Sequence, residues 1–128
     1  MTAVLALDQG TTGSSAIVFD ETGAIRGSVD REIRQFYPAS AQVEHDPDEI
    51  FATTVAVGRE ALARAGLAAK DLAAIGITNQ RETTVVWERE TGRPIHPAVV
   101  WQSRASSAIC ERLRAEGHRG SCASAPDS

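Results

Sequence analysis

Asp8 stands at the end of a short apolar run and is followed by Gly10, Thr11, Thr12, Gly13, Ser14 and Ser15. Glycine opens backbone conformations denied to other residues, so successive N–H groups of such a turn can converge on an anion while the hydroxyls add donors. Phosphate is the natural guest. The same composition also closes hairpins that bind nothing, and an Asp there can be an idle cap, so the turn alone leaves both readings open. It is neither of the two commonest phosphate motifs, since Gly-Lys-Ser/Thr and Gly-x-Gly-x-x-Gly are both absent. A second cluster, Gly76-Ile77-Thr78-Asn79-Gln80-Arg81-Glu82-Thr83-Thr84, places Arg81 and Glu82 just past an apolar stretch. The guanidinium brings several N–H donors and the carboxylate accepts O–H bonds, which suits the hydroxyls of a small polyol. Trp101 could cover the carbon face of such a molecule. A solvated Arg–Glu pair beside a core Trp is the plainer reading of the same residues.

The elements that must position these groups are readable in order. Residues 4–7 and 16–19 form two apolar strands around the turn, and a third strand over 24–34 follows Gly23, with Ile25, Val29 and Ile33 on one face by period two. After an irregular stretch containing Pro38, a helix begins at Asp46 as N-cap, with Pro47 at its first position and Glu49 closing a capping box. Phe51, Val55, Gly58, Leu62 and Ala65 recur on one face, and Gly66 ends it. A parallel strand over 72–78, apolar throughout and therefore expected in a central position, requires that helical crossover. Further strands are expected over 83–88 and up to Trp101, around the turn Glu90-Thr91-Gly92. A helix over 104–116 carries Ala108, Ile109 and Leu113 on one face and stops at Gly117.

With 128 residues and 42% hydrophobic content, the chain is long enough for one domain with a real core. A net charge of −4 argues against general nucleic-acid binding, which needs a basic surface. No apolar run approaches the ~20 residues of a membrane span, and no signal-peptide core precedes Asp8, so a cytoplasmic protein without membrane attachment is expected. Cys110 and Cys122 fit reduced thiols. His45, His96 and His118 lack metal-ligand spacing and read as surface or loop residues.

The opening hairpin resembles the phosphate hairpin of the actin-like ATPase fold. Asp8-Gln9-Gly10-Thr11-Thr12, Glu44-His45-Asp46-Pro47, the 76–84 cluster, Trp87 and Val99-Val100-Trp101-Gln102, in that order, are similar to the FGGY carbohydrate kinases, specifically their glycerol-phosphorylating members. The resemblance covers about residues 4–117. It implies an α/β, ribonuclease H-like (actin-like ATPase) fold with a mixed sheet, here an incomplete N-terminal kinase domain at 1–118. It further implies ATP and Mg²⁺ at Asp8, Gly10, Thr11, Thr12 and Gly13, with Asp8 holding the metal through its waters. Glycerol would lie at Arg81, Glu82 and Trp101, and the product would be sn-glycerol 3-phosphate. Full-length members of the family are expected to be homo-oligomers.

Two departures qualify that resemblance. Ser15 stands where the family carries an Arg, which removes a permanent positive charge from the phosphate site. The family's general-base Asp has no counterpart in the chain, so no catalytic residue is assigned and the 128 residues alone are expected to be inactive. A non-catalytic remnant or ligand-binding module of a split or degenerate kinase is the alternative. Residues 119–128 leave the family pattern and read as a disordered tail, as a frameshift or premature stop would produce.

Overall fold

The structure is a computed structural model that describes residues 2–118; the expected tail lies outside the described residues. In chain order its elements are β1 (Ala3–Gln9), β2 (Gly13–Asp20), β3 (Ile25–Glu32), β4 (Glu44–His45), α1 (Pro47–Ala65), β5 (Leu72–Asn79), β6 (Ala98–Val99) and α2 (Ser107–Ala115). The first three strands form an antiparallel meander, and β5 returns parallel to β1, giving a mixed sheet in the order β3-β2-β1-β5. The parallel return is made possible by α1, which crosses over the sheet.

Local chemistry sets the limits of α1. The Asp46 side chain accepts from the Asp48 N–H at 2.9 Å, and Pro47 occupies the first turn. Gly66 adopts a left-handed φ of 68°, while Leu67 N–H reaches back to the Leu62 carbonyl at 3.0 Å. Glu49 does not close the expected capping box. Its carboxylate instead takes the Arg34 guanidinium at 3.0 Å and the Arg34 N–H at 3.3 Å, because a charged donor is the stronger partner.

The core joins Ala3, Leu5, Ala16, Val18 and Val29 of the sheet to Val57 and Ala61 of α1. The buried residues of α1 are Thr53, Val57, Gly58 and Ala61; of the expected stripe, Gly58 is buried and Leu62 and Ala65 pack half-buried against the core, whereas Phe51 is 73% exposed. Close approach explains Gly58 and Ala61. A Cβ on Gly27 would lie 2.5 Å from the Ala61 carbonyl oxygen, and one on Gly58 would lie 3.2 Å from Leu7, so small residues must face the sheet. Along β3, Val29 and Ile33 are buried as expected, but Ile25 is exposed. An irregularity pairs Val18 with Gly27 and Phe19 with Ile25, and this one-residue slip reverses the phase at the strand's start.

The later elements differ more from expectation. β5 is an edge strand among the described residues, not a central one, and Ile75 and Ile77 are exposed because α1 covers β1 to β3 and stops short of them. No regular strand spans 83–88. Thr84 bridges Val99 and Trp87 bridges Pro94, around a turn in which Gly92 takes φ 70°. The strand before Trp101 shrinks to β6, paired with β4. α2 is shorter than the expected 104–116 and is followed by Glu116 as cap and Gly117 at φ 89°, yet it buries no residue, so the Ala108-Ile109-Leu113 face is not packed against the sheet. Among the described residues no helix is long and apolar enough to cross a membrane.

Candidate functional site

The turn between β1 and β2 is closed by the Gly10 N–H, which donates to the Gly13 carbonyl at 2.8 Å. Neither glycine occupies the left-handed region, so conformational freedom is not what the turn requires of them. Gly13 is needed for space: a Cβ there would stand 2.5 Å from the Arg31 carbonyl oxygen of β3. The turn is further pinned by the Ile33 N–H on the Thr12 carbonyl at 3.0 Å. A 3.1 Å bond between the Ser14 and Thr54 hydroxyls ties it to α1.

Alternation along the strands puts Ser14, Ala16 and Val18 under α1 and turns Ser15 to the other face. Register then aligns Asp8 with Ser15, and Ser15 with Asp30, in one row across three strands. The Ser15 hydroxyl donates to the Asp30 carboxylate. This row borders an open depression of about 470 Å³, also lined by Gly10, Thr12 and Gly13. Thr11 points elsewhere, for its hydroxyl and carbonyl are both taken from the side described next.

Pairing of Gln9 with Asn79 continues in a 2.7 Å bond from the Gln80 N–H to the Gln9 carbonyl. Arg81 and Glu82 thus leave the carboxyl end of β5 beside the turn that leaves β1, where ligands of open α/β sheets bind. Both side chains are exposed, and Glu82 holds φ at 53°, a left-handed conformation that costs a residue with a side chain ~1–3 kcal/mol. Strain of that kind collects at functional loops. Trp101 closes the group: its indole Nε1–H donates to the Thr11 hydroxyl at 3.0 Å. The turn residues and Trp101, separated by ninety positions, are in direct contact, with the Arg81–Glu82 loop alongside the turn.

His45 corrects the sequence reading. It was expected at the surface, but it is fully buried, while His96 and His118 are exposed. Its Nε2 lies 2.6 Å from Gln35 Oε1, and its Nδ1 lies 3.1 Å from Gln80 Nε2. Gln35 in turn donates through Nε2 to the Thr11 carbonyl at 3.0 Å. Burial pushes the His45 pKa below its ordinary value, against an opposing pull from Glu49. Nothing local in the sequence pairs positions 35, 45 and 80; only the topology does.

A cation at the turn has one fitting protein ligand. Among the described residues no three His, Cys, Asp or Glu side chains converge to cage a metal. The exposed Asp8 carboxylate beside this open depression has the chemistry for an ion such as Mg²⁺, which keeps its waters and is held by one or two carboxylates plus phosphate.

Comparison with known proteins shows the family and the fold. A model of the FGGY family of carbohydrate kinases, N-terminal domain, matches residues 3–125. The chain is 59% identical over 117 residues to a glycerol kinase of Trichlorobacter lovleyi, covering 91% of this chain and 24% of the relative. It is 60% identical over 117 residues to one of Methylibium petroleiphilum, covering 91% and 23%. Among solved structures, Plasmodium falciparum glycerol kinase with ADP is similar at a TM-score of 0.80 and 29% identity, over 91% of this chain and 23% of that one. A ligand-bound xylulose kinase of Lactobacillus acidophilus shares the fold at a TM-score of 0.76 and 19% identity, again over 91% and 23%. The chain thus spans about a quarter of the length of the relatives it matches.

Proposed function

The chain belongs to the FGGY family of carbohydrate kinases, and on that premise we propose that it carries the phosphate turn and the polyol loop of an enzyme that phosphorylates glycerol with ATP, giving sn-glycerol 3-phosphate. The observation that carries this reading is the 3.0 Å bond from Trp101 to Thr11, which sets the substrate residue against the phosphate turn. High identity to glycerol kinases supports the substrate, and the relative solved with ADP supports a nucleotide as donor.

Each side chain has a role on this reading. Arg81 donates to, and Glu82 accepts from, the hydroxyls of glycerol, while Trp101 covers its carbons. The N–H groups of Thr11 to Gly13 and the Thr12 hydroxyl receive phosphate oxygens, while the Gly10 N–H closes the turn on the Gly13 carbonyl, and Asp8 holds Mg²⁺ through water. Bound Mg²⁺–ATP supplies the phosphoryl group and neutralises charge as it transfers. The general-base Asp that the family resemblance implies has no counterpart among these residues, so binding and positioning are the share of the chemistry assigned to them.

Glycerol titration followed by Trp fluorescence tests the assignment. Arg81→Ala or Glu82→Gln is expected to weaken glycerol binding about tenfold, because a charge-assisted hydrogen bond to a glycerol hydroxyl is lost. Propane-1,2-diol, which lacks one hydroxyl, should bind comparably poorly to the unaltered protein. Equal affinity for glycerol and the diol would refute the polyol role of Arg81 and Glu82. A coupled assay with glycerol, ATP and Mg²⁺ then measures turnover, and an enzyme-like rate would show that the base is supplied within these 128 residues.

A further inference from the structure

His45 lies between the two halves of the site, in a run of hydrogen bonds that leads from one to the other. Gln35 Nε2 donates to the Thr11 carbonyl, which fixes Gln35 Oε1 toward His45 at 2.6 Å. An amide oxygen only accepts, so His45 must carry its proton on Nε2. Its Nδ1 is then an acceptor, and Gln80 Nε2 donates to it at 3.1 Å. Gln80 adjoins Arg81, and its own N–H holds the Gln9 carbonyl at 2.7 Å. The phosphate turn and the polyol loop are therefore joined through one imidazole.

We propose that His45 is a positioning residue which, as the neutral Nε2–H tautomer, locks the Gly10–Thr12 region of the turn and the Gln80–Glu82 loop into a single register through Gln35 and Gln80. The coupling rests on the site assigned above only for what the two loops bind. Gln80 adds a second observation: its Oε1 is buried without a hydrogen-bond partner among the described residues. A second proton, on Nδ1, would set two donors against each other there. The Gln80 amide must then turn over, bringing its orphan Oε1 to the imidazolium and disturbing the loop that follows.

The surroundings of His45 favour the neutral form. Gln35, from the segment after β3, and Gln80, at the end of β5, are uncharged, and β6 presents Ala98 as the paired residue. On α1, the Glu49 carboxylate faces the imidazole but is held by Arg34 at 3.0 Å. Neighbouring Glu44 lies 4.0 Å from His96, and Asp46 is committed to the α1 cap.

Hydrogen–deuterium exchange of the full 128-residue chain, read by mass spectrometry at low concentration, tests the coupling without any ligand. Between pH 8 and pH 5, after correction for intrinsic rates, peptides covering 9–13 and 79–84 are expected to lose protection with one shared midpoint. The α1 segment 53–62 should lose protection by a clearly smaller factor over that range. His45→Gln, whose side-chain amide can still donate to Gln35, should retain protection of the turn and abolish the pH dependence. His45→Leu, which fills the space without a donor, should raise turn exchange at least tenfold. Separate midpoints for the two peptides in the unaltered chain overturn the proposal, and so does equal loss of protection in α1, the mark of global unfolding. Equal protection in His45→Leu and His45→Gln would reduce His45 to a space-filling residue. Because no ligand is present, failure of the glycerol assignment leaves these outcomes unchanged.

Discussion

Gly13→Ala is predicted to break the β1–β2 turn by a steric route that can be sized in advance. The added methyl would sit 2.5 Å from the Arg31 carbonyl oxygen, 3.1 Å from its carbon and 3.1 Å from Glu32 Cα. All three obstacles are backbone atoms of a paired strand, so no side chain can swing away. Overpacking of this kind costs ~1–3 kcal/mol, and the rigid partner places the expectation in the upper half, at about 2–3 kcal/mol. That is roughly a 30- to 150-fold fall in the folding equilibrium. With a urea m-value of ~1.5 kcal/mol/M for a chain of this size, the midpoint should drop by about 1–2 M. Gly10→Ala is the internal control, since its Cβ would meet only the Gly13 oxygen at 3.3 Å and should cost under ~1 kcal/mol. Urea unfolding followed by circular dichroism at micromolar protein measures both. A Gly13→Ala midpoint within ~0.3 M of the unaltered chain, or a larger loss for Gly10→Ala, would refute the close-approach account.

Other perturbations probe the packing, the titration and the charge of the site. Val57→Ala removes two fully buried methyl groups and should cost about 2–3 kcal/mol, whereas Phe51→Lys, on the exposed side of α1, should change stability by no more than ~0.5 kcal/mol; thermal melts of the two variants decide it. Burial lowers the His45 pKa in the folded state, so its contribution to stability is complete above pH 6.5 and is lost as pH falls toward the depressed folded value. Urea midpoints across that window should slope by no more than about 1.4 kcal/mol per pH unit on this account, and the slope should vanish in His45→Gln. Ser15→Arg should strengthen binding of Mg²⁺–ADP by roughly 3- to 10-fold in calorimetry, less than a free guanidinium would give, because Asp30 competes for it. The double variant with Asp30→Asn should bind tighter still, and weaker binding in both would show that position 15 does not face the nucleotide.

Where the chain's own neighbours decide a structure, the sequence revealed it. Asp46, Pro47 and Gly66 bound α1 as expected because caps act within one turn. The β1–β2 hairpin and the parallel β5 were equally readable from short apolar runs. What failed depended on distant atoms. On α1, Gly58, Leu62 and Ala65 face the core as expected, but Phe51 does not, and Ala61 was missed because only the topology brings Gly27 against its backbone. Ile25 was misassigned by a one-residue slip that no period-two count contains. The candidate residues Asp8, Gly10, Thr11, Thr12, Gly13, Arg81, Glu82 and Trp101 were singled out by residue type together with the family resemblance, and their roles remain a proposal. His45 was not singled out, since a histidine's partners 10 and 35 positions away leave no local mark.

The charge around the turn leads to a prediction about the order of binding. The depression is bordered by the carboxylates of Asp8, Asp30 and Glu32, and the neighbouring cation, Arg31, is 2.9 Å from Glu60 on α1. A bare phosphate approaching this row meets like charges, with the N–H groups of one turn as its attraction. At ~6 Å and an effective dielectric of ~20, each such pair repels by roughly 3 kcal/mol before salt screening, as much as a good charge-assisted hydrogen bond returns. Ser15 answers part of this by engaging Asp30, but it brings no positive charge of its own. If the turn takes the nucleotide's phosphates as proposed, Asp8 is an obstacle to phosphate alone and an anchor once a divalent cation stands between them. Nucleotide should consequently enter as its Mg²⁺ complex, with ADP in excess chelator binding at least tenfold more weakly than Mg²⁺–ADP. Asp8→Asn should narrow that gap, because it weakens the metal complex while relieving the repulsion of the bare anion. An Asp8→Asn variant that bound both forms less tightly by the same factor would place Asp8 in the fold of the turn rather than in its electrostatics.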